Sequence, residues 1–351
     1  MSFMKTMWTG VSLRTSGRTA MALTAAAFLS AGVANAQESV TVGYQQIVGP
    51  FLSAIADGSI DKALADAGYK AEWRQFSSGG DISTALASGD VPIGVIGSTG
   101  LTAAASRGVD VAVFWILDNI GKSEALVARN GSGINSPADL KGKKVAVPFV
   151  STSHFHLLAG LTKMWDINPR DVQLLNLAPP QIVAAWQRGD IDAAYVWPPA
   201  LSELKKDGTV IADSEQIGAA TVPTFDGLVA STSWAEKNPK FMEAFTKALA
   251  AAYADYKEHG KDWTADSPQI QGMVKLIGGN AADIASDIQL LGFPTADEQA
   301  SATWLGGGKE GGALRALGTS AEFLKDQKQI DAVLDDYSPF VLSTYAEAAS
   351  K

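Results

Sequence analysis

Apolar residues in this chain fall first into short, strand-length runs separated by stretches of helical spacing. The runs "SVTVGYQ", "AEWRQF", "VPIGVIG", "VDVAVFWIL" and "EALVAR" make a first group, and "KVAVPF", "VQLLNL" and "IDAAYVW" make a second. Strands alternating with helical stretches predict an α/β fold whose sheets are mainly parallel and flanked by helices. From about Ser233 the pattern changes. "SWAEKNPKFMEAFTKALAAAYADYKEHG" has the 3.6-residue period of an amphipathic helix, and helix signals dominate to the end.

One segment echoes another. "TALASGDVPIGVIGSTG" ends a helix at Gly89 and turns through Asp90 into a strand; "VAAWQRGDIDAAYVWPP" does the same through Gly189 and Asp190. Two lobes built on one helix-turn-strand unit account for this, and so does the general fitness of Gly-Asp as a helix stop. In a two-lobed chain, "SEALVARNGSG" (123–133) and "TFDGLVASTS" (224–233) are the expected crossings. They predict one lobe from 37–127 plus 228–351 and an inserted lobe from 128–227. Two crossings form a hinge, and a hinge between α/β lobes makes a cleft that can close.

The N-terminal pattern differs from all of this. Residues 1–36 carry Lys5, Arg14 and Arg18 but no acid, then the apolar "TAMALTAAAFLSAGV", then "ANA" before Gln37. That order of basic, apolar and small residues predicts a secretory signal peptide at 1–36, and so an exported, periplasmic protein. The formal charge is -9 for the whole chain, so removing those three basic residues leaves -12 on residues 37–351. An acidic body argues against nucleic acid and anionic membranes as partners. No cysteine is present, which excludes thiol nucleophiles, thiolate metal sites and CxxC redox chemistry.

Candidate chemistry gathers where strands hand over to helices. In parallel α/β sheets ligands sit off the carboxyl ends of the strands, where helix N-termini present unpaired N–H groups and partial positive charge. Three such junctions are rich in hydroxyls: Ser77-Ser78-Gly79-Gly80, Gly97-Ser98-Thr99, and Ser151-Thr152-Ser153-His154. Each could be an ordinary helix cap; together they suggest a shared anion pocket. Glu124 and Asp226 each open an apolar run near a crossing, and acids beside an anion site need a cation between them, which points to a zwitterion. Trp197 and the pair Tyr44-Gln45 stand where strands leave their sheets and could wall the cleft, Trp197 by holding an ammonium against its face. Trp115, Trp165 and Trp186 read as core, and Arg74, Arg107 and Arg188 as surface charges. "HFH" sets His154 and His156 on different faces of a helix, a poor metal pair. GxSxG, Walker and GxGxxG motifs are all missing from the sequence.

At these junctions the chain resembles the periplasmic taurine-binding proteins of ABC importers, within the aliphatic sulfonate and nitrate type of solute-binding family. The likeness rests on "SSG", "IGSTGLTAAAS", "SEALV", "VAVPFVSTSHFHLLAGL", "APPQIVAAWQRGDIDAAYVWPPA", "DSEQIG" and "PTFD", in that order. It covers residues 40–350 and weakens after about 260. The resemblance implies a two-lobed binding-protein fold of type II, taurine as ligand, no cofactor or metal, a membrane permease as partner, and a monomeric binding protein in place of an enzyme. It further implies Ser78, Ser98, Thr99, Ser151, Thr152 and His154 toward the sulfonate, with Glu124, Trp197 and Asp226 toward the ammonium; Gln45, at the cleft wall, completes the expected ligand-binding set. Thr99 stands where the family usually has serine, and Ser77 and Ser153 also depart from its pattern. Longer alkanesulfonates or sulfate esters are the alternative ligands; they would leave both acids without a cation. Sulfinate-cleaving and thiamine-precursor enzymes share the fold and rely on cysteine or on histidine-rich and lysine-bound cofactor sites; the lack of cysteine and the expected signal peptide argue against them.

Overall fold

The computed structural model describes residues 37–351; the expected signal peptide at 1–36 lies outside the described residues. Ten strands build two sheets: β1 (Glu38–Tyr44), β2 (Tyr69–Gln75), β3 (Ile93–Gly97), β4 (Ala112–Asn119), β5 (Ala125–Arg129), β6 (Lys144–Val147), β7 (Gln173–Asn176), β8 (Ala193–Val196), β9 (Gly208–Asp213) and β10 (Phe225–Ala230). The first sheet has the order β2-β1-β3-β10-β4 and the second β7-β6-β8-β5-β9. In each, the fourth strand in the order runs antiparallel to its neighbours: β10 between β3 and β4, and β5 between β8 and β9. The other pairings are parallel. The two sheets therefore share one topology, and the antiparallel strand of each is the first one after the chain passes over from the other.

That topology gives the Gly-Asp echo its structural meaning. Gly89 and Gly189 both close helices in the left-handed region, at φ 79 and 75, and lead into β3 and β8, which hold equivalent places in their sheets. A left-handed C-terminal glycine costs no side-chain clash, so the stop signal and the repeat are the same residues. The chain passes between sheets within 120–124 and again within 221–224. "EALVAR", grouped with the earlier runs by its place along the chain, pairs instead in the second sheet, with β8 and β9. Its partners lie far downstream, so sequence order could not assign it. β9 also escaped the reading by pattern.

Side-chain alternation in the second sheet shows why its strands are apolar throughout. Leu126, Val145, Val147 and Tyr195 enter one buried cluster, while Ala125, Val127, Ala146 and Val196 enter another on the opposite face. A sheet covered on both sides buries both sets, which is why these runs are continuous and lack alternating polarity. The first sheet and the long helix Pro239–His259 share a larger core that includes Phe51, Phe114, Trp115, Phe241, Phe245 and Tyr253. Trp115 and Trp186 are buried, and Trp165 packs partly buried against the second lobe's core. Beyond the cleft the halves also meet where Phe155 packs edge-on against Phe323, ring centroids 4.8 Å apart. A buried hydrogen bond of 2.5 Å from Ser202 to Asp287 joins them on another side.

Candidate ligand cleft

Three helices follow β2, β3 and β6, and their heads converge. Gly79 opens the helix Gly79–Ser88, Gly97 caps Ser98–Ser106, and Ser151 caps Thr152–Ala159. All three residues line one cavity of about 340 Å³, together with Gln45, Ile47, Ile96, Glu124, Val150, Thr152, Trp197 and Asp226. Most of that space is open to solvent; the room for a bound molecule is about 20 Å³, about that of one water and far below the roughly 300 to 1,000 Å³ usual for ligand sites. A second hollow of about 270 Å³ shares Ile47, Glu124, Trp197 and Asp226 and adds Asp118, Ser123, Pro198 and Leu291. Among the described residues no Lys or Arg lines either space. A wider groove of about 1,200 Å³ lies between helices of the first lobe and shares no residue with the cleft. Its lining mixes alanines with Asp57, Asp66, Lys247, Asp255 and Gln269.

The cavity places six of the ten residues expected at the site on its wall: Gln45, Glu124, Ser151, Thr152, Trp197 and Asp226. The other four stand behind it or at its edge. Ser78 caps its helix, accepting from the Asp81 N–H at 3.3 Å. Ser98 is fully buried and its Oγ accepts from the Phe225 N–H at 3.4 Å, a link from helix head to β10. Thr99 is buried with its hydroxyl unpartnered. His154 is buried, its ring stacked on Phe149 at 4.4 Å while its Nδ1 accepts from the Val150 N–H at 3.3 Å. Burial pushes its imidazole down to about 4. The neutral ring thus props up Val150, which lies in the left-handed region at φ 61 and borders the cavity. A β-branched residue held there is strained by about 1 to 3 kcal/mol, a cost the surrounding structure must impose.

Beside the helix heads the cleft is acidic. Glu124 is buried, and its Oε1 accepts from the Thr152 hydroxyl at 2.5 Å while its Oε2 lies 3.1 Å from the Ser214 hydroxyl. Burial first, and the Asp226 charge second, push its carboxyl up to about 8. Asp226 keeps some exposure on the cavity side, and enclosure by protein elsewhere raises it to about 7. Asp118, at the end of β4, is the residue that pattern reading missed. It sits directly across from Asp226 in the β4–β10 pairing, so both side chains stand on one face of the sheet. It is 2% exposed, its Oδ1 has no partner, and burial with its two acidic neighbours holds it well above the carboxylate range. An acid closing the nine-residue run "VDVAVFWIL" was the available signal. Glycines make room for these groups: a Cβ on Gly97 would stand 2.8 Å from the Thr152 methyl and 3.1 Å from Asp226 Oδ1. Among the described residues no cluster of His, Asp or Glu could hold a metal ion, and no helix is long and apolar enough to cross a membrane.

Two sheets of matching topology, joined by two crossings around a cleft at the carboxyl ends of their strands, define the two-lobed class of periplasmic binding proteins. The alkanesulfonate-binding protein SsuA from Xanthomonas axonopodis pv. citri, solved bound to MOPS, has this fold. It superposes with a TM-score of 0.71 at 21% identity, over 86% of this chain and 97% of that one. The desulfurization enzyme DSZB shares the fold at a TM-score of 0.58 and 14% identity, over 90% of this chain and 99% of its own. At the level of sequence, the NMT1/THI5 like family matches residues 64–262, and this chain belongs to that family. It is 41% identical over 309 residues to the taurine-binding periplasmic protein of Escherichia coli (strain K12), covering 88% of this chain and 93% of the relative.

Proposed function

We propose that this chain is the solute-binding component of an ABC importer, that it works in the periplasm, and that it binds taurine in the cleft and delivers it to a membrane permease. The observation that carries the reading is the polarity of one small cavity. Helix heads from both lobes (Gly79, Gly97, Ser151 and Thr152) and the carboxyls of Glu124 and Asp226 line the same space, and among the described residues no basic side chain does. A sulfonate is anionic at any physiological pH and offers three acceptor oxygens, which suits neutral N–H and O–H donors arriving from separate loops. The ammonium two carbons away suits Asp226 and Glu124, with Trp197 as an apolar wall that favours a cation.

Binding of this kind favours closure because donors come from both lobes. Gly79 and Gly97 belong to the first sheet's helices and Ser151 and Thr152 to the second's, so only the closed arrangement satisfies a ligand at both ends. The reading is one of capture without chemistry, supported by the 41% identical relative named as a taurine-binding periplasmic protein. Thermal melts with taurine, ethanesulfonate and a longer alkanesulfonate test it. A ligand at a hundred times its Kd adds about 2.7 kcal/mol of stability. Taurine should give the largest shift; an equal or larger shift with ethanesulfonate would remove the ammonium from the argument.

A further inference from the structure

Behind Glu124 lies a hydrogen-bond chain that ligand capture, as described so far, leaves unused. His156 is fully buried; its Nε2 is 3.0 Å from the Val222 carbonyl oxygen and its Nδ1 is 2.7 Å from the Ser214 hydroxyl. A carbonyl can only accept, so Nε2 carries a hydrogen, and in a neutral ring Nδ1 is then an acceptor. Ser214 must give its single proton to that nitrogen. The buried Tyr195 hydroxyl, 3.0 Å away, donates to Ser214 in turn and fills one of its lone pairs. The remaining neighbour of Ser214 is Glu124 Oε2 at 3.1 Å. An ionised carboxylate would set lone pair against lone pair there, and the count closes when Glu124 brings the proton.

We propose that Glu124 serves the cleft as a neutral carboxylic acid, its proton donated to Ser214, and that Ser214 and His156 are positioning residues that hold it so. Thr152 donates to the other oxygen, Oε1, so the acid is fixed at both atoms. Of the groups facing it, the Thr152, Ser153 and Ser214 hydroxyls favour the ionised form, but burial and the Asp226 carboxylate on β10 outweigh them. Asp118 on β4 is itself held well above the carboxylate range, Tyr195 on β8 and His156 are held neutral by burial, and among the described residues no Lys or Arg lines the cleft. An imidazolium at His156 with an ionised Glu124 would also close the count, but burial pushes that ring down to about 4. The charge for a ligand's cation then comes from Asp226 alone, while Glu124 offers a neutral acceptor.

This rests on the reading of the acidic side as the cation end of a taurine site, and the test separates the two. Glu124→Gln is a copy of the neutral acid, its amide NH₂ placed to donate to Ser214 and its carbonyl to accept from Thr152. If Glu124 is neutral before and after capture, titrations of taurine in buffers of different ionisation heat should give the same number of protons exchanged for the parent and for Glu124→Gln; a proton exchanged by the parent alone overturns the proposal. The second measurement needs no ligand. In protein labelled with 13C at glutamate carboxyls, the resonance missing from Glu124→Gln should sit at the protonated position at pH 7. It should move toward the carboxylate position in Ser214→Ala and return in Ser214→Thr, which restores the hydroxyl. A parent resonance at the carboxylate position, or 15N shifts showing His156 as imidazolium, overturns the proposal even if taurine binds. If taurine fails to bind the parent, the function falls while the carboxyl signal still decides this inference.

Discussion

Asp226→Asn removes the one full charge assigned to the ligand's cation while keeping the side chain's shape. Breaking a buried ion pair by deleting one partner costs about 3 to 5 kcal/mol. Asp226 retains some exposure toward the cavity, which places it at the lower end, near 3 kcal/mol, or about a hundredfold in Kd. The same change should act in the opposite direction on the free protein. Asp226 sits in enclosed surroundings that raise its own carboxyl to about 7, and its charge is the second cause, after burial, of the raised Glu124. Replacing it removes that repulsion, so the variant should melt at a higher temperature than the parent at pH 8 without ligand. Calorimetric titration with taurine and ligand-free melts at pH 8 read the two effects separately. A loss of affinity under threefold would take Asp226 out of the site. A variant both weaker in binding and lower in Tm would show that the carboxylate supports the fold, and would refute the electrostatic argument.

Gly97→Ala should abolish measurable taurine binding and lower the Tm, because the new methyl would stand 2.8 Å from the buried Thr152 methyl and 3.1 Å from Asp226 Oδ1, although the backbone, at φ -67, accepts any residue; unchanged titration and melting would refute it. Trp197→Phe should bind within a few-fold of the parent and Trp197→Ala about tenfold more weakly, the scale of an aromatic wall and its cation–π attraction, and equal Kd values for the two would remove the ring from the site. Stability of the ligand-free protein should fall from pH 6.5 to 8. Glu124 and Asp226 are raised to about 8 and about 7, so their contribution is fully present below about pH 4 and is lost as pH rises through those values, at up to about 1.4 kcal/mol per pH unit for each proton. His154 and His156, depressed to about 4, act with the other sign: their stability is present above about pH 6.5 and lost as pH falls toward 4. The opposed slopes offset one another between about pH 4.5 and 6.5. Urea melts across this range check it, and a rise in stability above pH 6.5 would contradict the raised acids.

Much of the binding machinery was legible in the chain because it depends on local rules. A hydroxyl or glycine after an apolar run marks a helix head whatever the fold, which is how 77–80, 97–99 and 151–154 declared themselves. Glu124 and Asp226 stood out as acids at the edges of buried strands. Asp118 met the same description at the far end of its strand and went unread, since its importance comes from lying across from Asp226, more than a hundred residues away in sequence. The role of His156 was equally hidden, because "HFH" shows no partner for it until Ser214 and Val222 are brought to its two nitrogens.

The sequence alone determined the strand and helix periods, the helix stops at Gly89 and Gly189, the acidic body and the absence of thiol chemistry, all of which follow from side-chain type and spacing. Only the tertiary structure decided which sheet β5 joins, which of the candidate hydroxyls reach the cavity wall, and how protons are shared among Glu124, Ser214 and His156. Strand pairing, burial and hydrogen-bond saturation are set by residues distant in the chain, and no local pattern encodes the distances between them.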